Sequence, residues 1–493
     1  MSPQNKKAHP VVENQAGFAG KKLDSHYRAH FIGICGAGMS AVAKLLIDYG
    51  WQVSGSDDNF YPPVSEYIKR HNINFKKGYS PGNIPKDVDL IVVGKHSGLT
   101  KEENEEVKSA FSLGVPVKSF PEILGELSAG KDNIVVAGSY GKSTCATLIA
   151  WCLEYAGKDS SYFIGAIPNT PVESSKKGNG NLFVLEGDEY PSSNWDSSSK
   201  FLHYHPNHLL LTSLAHDHLN VFKTSDDYKA PFIELLSLIP KNGLVVACAD
   251  GEGVKGTISK CGLERQTVFY GTNNDASWNI SNVKLGETSS FDILREGKKV
   301  INIRTSLLGY HNFENILGAA ALLLSLKAVT PEQFASAIAD FKALNRRLDR
   351  KSYKTAVPFY EGFGSSYAKT RAAIEAVKAH FPDKKLVVLF EPHAFSWRIR
   401  DALKWYDSVF EGAWRTFIYK LPNRDKPELI LDDIVERVSK AGYRAIGLNN
   451  IEDGIKLLEE SVDGNAVLLA LSSGGFDGFI DLTIKWLEDK FPL

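Results

Sequence analysis

Eight consecutive residues, Ala137-Gly138-Ser139-Tyr140-Gly141-Lys142-Ser143-Thr144, combine the residue types that handle a phosphate chain. They follow the apolar run 133–136, which reads as a strand, and open the run 145–155, which reads as a helix. A glycine-rich turn between strand and helix aims successive backbone N–H groups at one point, and the helix N-terminus adds positive potential there. From such a turn Lys142 reaches terminal phosphates, and the hydroxyl of Ser143 or Thr144 ligates Mg²⁺. Val136 stands five before Gly141, where the general phosphate-loop spacing has glycine. The Gly-Lys-Ser-Thr run at a strand–helix junction nevertheless predicts a site for ATP or GTP rather than an ordinary glycine turn.

A second glycine turn lies upstream. Gly36-Ala37-Gly38-Met39-Ser40-Ala41 fits the Gly-x-Gly-x-x-Gly/Ala pattern of a dinucleotide-binding unit, and Asp57 follows Gly36 by 21 residues, where a ribose-binding acid belongs. Alone this suggests NAD, but the same turn holds any diphosphate, a UDP-sugar included. One site for a diphosphate-linked substrate and another for ATP is the arrangement of a kinase or ligase. A dehydrogenase needs no phosphate loop.

Three further clusters carry chemistry. Glu186-Gly187-Asp188-Glu189 ends the apolar run 182–185, so a carboxylate there is either placed to hold Mg²⁺ beside the phosphate loop or part of a solvated loop. His216-Asp217-His218 ends another strand, and its alternative is a solvated loop; zinc is disfavoured because paired His or Cys spacing is lacking. Gly309-Tyr310-His311-Asn312-Phe313-Glu314-Asn315 opens an apolar helix. Asn312 and Asn315 share a face of its first turn, where they either pair with an adenine edge or cap the helix. Arg346 and Arg347 follow at a junction, where they are solvated by default or swing onto a transferring phosphate when domains close.

The elements that must position these residues alternate, strand then helix, almost throughout, which predicts an α/β chain built on parallel sheets. At 493 residues the chain exceeds one core, and the prior of roughly 150 residues each suggests three domains. The expected division is a disordered polar tail at 1–27, a Rossmann-like domain at 28–129, a central phosphate-loop domain at 130–343 and a Rossmann-like domain at 344–493. With 43% hydrophobic and 23% charged residues and a net charge of −1, the composition is that of a soluble globular protein without a nucleic-acid or anionic-membrane footprint. No apolar run is long enough to span a bilayer. The five cysteines are odd in number and lack metal spacing, which suits a reducing cytoplasm.

These pieces, in this order, resemble the Mur ligase family: ATP-dependent enzymes that attach amino acids or peptides to UDP-N-acetylmuramate in cell-wall synthesis. The resemblance runs from about His30 to the C-terminus. It implies that the muramoyl carboxylate takes the γ-phosphoryl group of ATP and that an amine then displaces phosphate to form an amide. By motif, Gly138, Ser139, Gly141, Lys142, Ser143, Thr144, His311, Asn312, Asn315 and Arg347 would hold ATP. Gly36, Ala37, Gly38, Met39, Ser40 and Asp57 would line the UDP end. Ser143, Glu186 and His218 would hold Mg²⁺, and Lys142, Glu186, His218 and Arg347 would carry the chemistry.

Within the family, several stretches are similar to the ligase that adds L-alanyl-γ-D-glutamyl-meso-diaminopimelate during peptidoglycan recycling. Those are Tyr61-Pro62-Pro63, Glu186-Gly187-Asp188-Glu189-Tyr190, Ser199-Lys200-Phe201-Leu202-His203-Tyr204 and Ser473-Gly474-Gly475-Phe476. They make the tripeptide the expected acceptor, with L-alanine as the alternative. Arg398 and Arg400 are candidate partners for acceptor carboxylates. Where such relatives carry Asp-Asp-Phe/Tyr-Ala/Gly-His-His-Pro, this chain reads Glu361-Gly362-Phe363-Gly364-Ser365-Ser366-Tyr367. The departure motivates a further alternative, a catalytically impaired binder of UDP-muramoyl ligands, or contacts rebuilt around Lys369.

Overall fold

The computed structural model describes residues 27–60, 64–165, 172–218, 221–272, 276–422 and 428–493. The expected tail therefore lies almost wholly outside the described residues, and so does Tyr61-Pro62-Pro63.

Three sheets follow one another along the chain. The first has five parallel strands, in spatial order Asn74–Lys77, Gln52–Asp57, Arg28–Ile32, Leu90–Val93 and Val117–Lys118. The strand order reverses between Arg28–Ile32 and Leu90–Val93, so the loops leaving these two strands part and leave a crevice at their C-terminal ends. Both strands are almost entirely buried, as strands covered by helices on both faces must be.

The second sheet has ten strands. Its parallel core includes Asp132–Ala137 between Leu182–Glu186 and His208–Leu211. The helix Lys142–Tyr155 leaves the first of these through Gly141, whose φ of +82° a residue with a Cβ adopts only under strain. At one edge the strands Trp278–Lys284, Ser289–Arg295 and Lys298–Thr305 form an antiparallel ribbon, an exception to the expected alternation. The third sheet has six strands; Arg347–Arg350 pairs antiparallel with Phe359–Gly362, and the rest are parallel. The mixed α/β architecture on three successive sheets agrees with the fold expected from the sequence.

Hydrogen bonds tie the three units together. Between the first two, Ser175 Oγ donates to the Ala41 carbonyl at 2.6 Å and Asn194 Nδ2 donates to the carbonyls of His96 and Leu99 at 2.8 Å each. Between the last two, buried His380 accepts the Gly309 amide at Nε2 (2.9 Å) and donates from Nδ1 to the Gly286 carbonyl (2.8 Å). No described helix is long and apolar enough to cross a membrane.

Candidate functional site

The turn after Asp132–Ala137 is braced from the neighbouring strand end. Ser139 donates its amide to the Ser213 carbonyl at 2.8 Å and its hydroxyl to the Ala215 carbonyl at 2.6 Å, while Thr212 Oγ1 donates to the Tyr140 carbonyl at 2.5 Å. Lys142 Nζ turns to the Gly138 carbonyl (2.5 Å) and to Glu189 Oε2 (2.9 Å). Ser143 Oγ donates to Glu186 Oε1 at 2.6 Å, and the Gly165 amide donates to Glu186 Oε2 at 2.7 Å. Burial pushes the Glu186 carboxyl above its ordinary range in spite of these two donors and Lys142. A carboxylate so desolvated gains from a cation beside it. Thr144 is buried, so Ser143 is the hydroxyl that faces the acid.

Glu189, in the acidic cluster but without a role assigned from sequence, is the hub of this arrangement. It is fully buried and also accepts from Tyr228 Oη at 3.2 Å and from His218 Nε2 at 3.1 Å. His218 Nδ1 lies 3.0 Å from Tyr190 Oη. Both ring nitrogens of His218, expected among the metal ligands, are thus engaged by protein groups. Among the described residues, no group of three or more His, Cys, Asp or Glu gathers to hold a metal. Ser143 and Glu186 fit Mg²⁺, which keeps several waters and takes few protein oxygens when phosphates share it.

At the other glycine turn, Gly36, Ala37, Gly38, Met39 and Asp57 line the same cavity as Lys142 and Glu186. The cavity measures about 1070 Å³ and also takes in Lys95, His96, Asp188, Tyr190, Lys200 and His218. Asp57 accepts the amides of Cys35 (2.9 Å) and Asn59 (3.0 Å), which sets the shape of the turn. Its charge and burial drive the Cys35 thiol up to about 12, mainly through burial, so that cysteine stays protonated. Ser40 is not among the lining residues. Its hydroxyl, expected at the substrate, donates back to the Ala37 carbonyl at 3.1 Å and is buried.

The two asparagines are held by protein groups. Asn312 Nδ2 donates to the Leu308 carbonyl at 2.8 Å, and Asn315 Oδ1 accepts the Cys145 thiol at 3.3 Å. Both are buried. A Cβ on Gly141 would come within 2.5 Å of Asn315 Oδ1, so Asn315 packs under the phosphate loop and braces it. The family resemblance assigns both asparagines to ATP, and these are the protein contacts that hold them. His311 stands at the start of that helix; desolvation, then the positive charge of Arg347, holds its imidazole below the ordinary value. Arg347 is exposed, and its neighbour Arg346 binds buried Glu361 at 3.0 Å. Glu361 also holds Lys351 at 2.7 Å, so this acid serves the third unit's own packing. Lys369 Nζ donates to Ser365 Oγ at 3.4 Å and lies 5.9 Å from the Phe363 ring centroid. Arg398 is fully buried against the rest of the third unit, whereas Arg400 is exposed.

Residues 28–132 match the model described as Mur ligase family, catalytic domain, and residues 136–323 match the Mur ligase middle domain. The chain is 30% identical over 461 residues to the UDP-N-acetylmuramate–L-alanine ligase of Chlorobium chlorochromatii, covering 92% of this chain and 96% of the relative. It is 29% identical over 480 residues to the enzyme of the same name from Caldanaerobacter subterraneus, covering 95% and 99%. Among solved structures, the UDP-N-acetylmuramate–alanine ligase of Thermotoga maritima superposes with a TM-score of 0.74 at 21% identity, covering 93% of this chain and 99% of that one. A murein peptide ligase of Psychrobacter arcticus superposes with a TM-score of 0.61 at 23% identity, covering 95% and 100%. The expected tripeptide acceptor is thereby corrected. It rested on four short stretches, whereas relatives aligned along nearly the whole chain carry the alanine-adding name. The cavity joining the two glycine turns and these full-length matches lead to one conclusion: the chain belongs to the Mur ligase family of ATP-dependent, ADP-forming ligases.

Proposed function

We propose that this protein joins L-alanine to UDP-N-acetylmuramate with hydrolysis of ATP to ADP and phosphate. The observation that carries the reading is the single cavity running from the Gly36–Met39 turn to Lys142 and Glu186. A sugar nucleotide and ATP bound at its two ends bring carboxylate and γ-phosphoryl group together.

A carboxylate is a poor acyl donor, and phosphorylation supplies the leaving group. In the first step a carboxylate oxygen forms a bond to the γ-phosphorus as the bond to ADP breaks. In the second, the alanine amine attacks the acyl carbon, and phosphate departs with loss of the amine proton. The first step needs charge neutralisation and in-line positioning more than covalent help. Lys142 neutralises the transferring group, and the backbone amides of the phosphate loop, held by Thr212, Ser213 and Ala215, orient the chain of phosphates. Ser143 and Glu186 are the residues that would hold Mg²⁺, which when bound neutralises phosphate oxygens. Glu189 and His218 position Lys142 from below.

The acceptor end falls to the third unit, where three loops meet at the C-terminal ends of its strands. Trp397 Nε1 donates to the Gly364 carbonyl at 2.9 Å, and His393 Nδ1 lies 3.3 Å from Ser473 Oγ. Ligands of open α/β sheets bind at such strand ends. The test is isotopic: with ¹⁸O in the muramoyl carboxylate, ATP and L-alanine, one label moves into the released phosphate. Phosphate free of label would refute the acyl-phosphate route.

A further inference from the structure

Two lysines from different units converge in the cavity between the glycine turn and the phosphate loop. Lys95 leaves the C-terminal end of Leu90–Val93 in the first sheet, and Lys200 starts the short helix Lys200–His203 in the second unit. Lys200 is held firmly: its ammonium binds Asp188 at 2.6 Å and lies 5.4 Å from the Phe120 ring centroid and 5.8 Å from that of Tyr190. Its side chain is only 14% exposed. The loop before it is tied to the first unit through Asn194, which grips the carbonyls at His96 and Leu99 on either side of the segment that follows Lys95.

Desolvation and the charge of Lys200 hold the Lys95 ammonium below its ordinary value, with Asp188 and Asp196 opposing. The two cations therefore sense one another. Burial pushes the Asp188 carboxyl up, but the charge and hydrogen bond of Lys200 outweigh it and hold the group below its ordinary range, with a smaller contribution from the charge of Lys142. An anion bound here relieves the repulsion between the lysines and lies on the Lys142 side of the cavity.

We infer that Lys95 and Lys200 are specificity-determining residues that hold the lactyl carboxylate of the sugar nucleotide and present it to the γ-phosphoryl group. This rests on the reading given under Proposed function and names its carboxylate subsite. The diphosphate of the same substrate has the backbone amides of the Gly36–Met39 turn; the carboxylate has no such cradle there and needs cations near Lys142. Two ammonium groups drawn from two units also make carboxylate binding depend on the units being docked.

Calorimetric titration of the full chain with UDP-N-acetylmuramate and with UDP-N-acetylglucosamine separates the possibilities, because the second has the same nucleotide and diphosphate but lacks the carboxylate. Lys95→Met and Lys200→Met are each expected to weaken UDP-N-acetylmuramate binding by roughly tenfold or more, leave UDP-N-acetylglucosamine within roughly twofold, and keep binding in Lys200→Arg. Lys95 is exposed, so its variant keeps the test open should Lys200→Met fold poorly. Equal loss for both ligands would assign the lysines to the diphosphate and overturn the inference, as would no loss for either. Failure of the wild-type chain to bind UDP-N-acetylmuramate would overturn the functional reading, and this subsite with it.

Discussion

Lys142 Nζ and Glu189 Oε2 lie 2.9 Å apart although 47 residues separate them. The pair joins the phosphate loop to the end of the adjacent strand, and the carboxylate is fully buried. A buried charge is held there only because Lys142, Tyr228 and His218 all donate to it. Glu189→Gln keeps the shape and removes the charge that sets both Lys142 and His218. Its kcat is expected to fall by roughly tenfold or more, with the KM for UDP-N-acetylmuramate little changed. Steady-state kinetics with each substrate varied checks this; an unchanged kcat would show that the pair serves stability alone.

Lys142→Ala removes the cation assigned to the transferring phosphoryl group. Phosphate release is expected to drop at least roughly hundredfold while UDP-N-acetylmuramate still binds in a calorimeter. Turnover that survives the change would contradict that assignment.

Asn315 lies beneath Gly141 and accepts the Cys145 thiol. Asn315→Ala removes the side-chain acceptor of the Cys145 thiol and the support beneath Gly141, and is expected to cost about 1–2 kcal/mol in denaturant unfolding and to raise the KM for ATP. Because the side chain braces the loop, the preference for ATP over GTP stays as in wild type; a lost preference would restore the adenine contact. Gly141→Ala meets the same oxygen from above at a φ of +82°, at a cost of about 1–3 kcal/mol.

His380 carries the docking of the third unit, accepting from Gly309 and donating to Gly286. Burial holds its imidazole below the ordinary value of 6.5. The folded protein therefore binds fewer protons here than the unfolded chain does just below that value, so this contribution to stability falls as pH drops through the window under 6.5. Urea unfolding at about pH 7.5 and about pH 5.5 is expected to show a smaller acid loss in His380→Gln than in wild type, since glutamine does not titrate there. An identical loss in both would show that His380 takes up its proton alike in the folded and unfolded chain.

The phosphate loop, the upstream glycine turn and the three-sheet architecture were legible because each is a local pattern: glycines at turns, apolar runs at strands, and a fixed order of both. What escaped depends on distant partners. Nothing near Asn312 or Asn315 announces that Gly141 and Cys145 lie above them, and the same face that suits adenine also suits a loop brace. The contacts of His218 with Glu189 and Tyr190 likewise form only through the fold. The antiparallel ribbon had a usable signal, Glu296-Gly297 with both φ angles positive between alternating runs. The acceptor was misread because four short similarities outweighed a likeness spread thinly along the chain.

The most direct test of the central claim is ATP-dependent phosphate release by the purified protein with UDP-N-acetylmuramate plus either L-alanine or L-alanyl-γ-D-glutamyl-meso-diaminopimelate. Stimulation by L-alanine, with one phosphate formed for each amide, is the predicted result. Release driven by the tripeptide alone, or by neither acceptor, would contradict it.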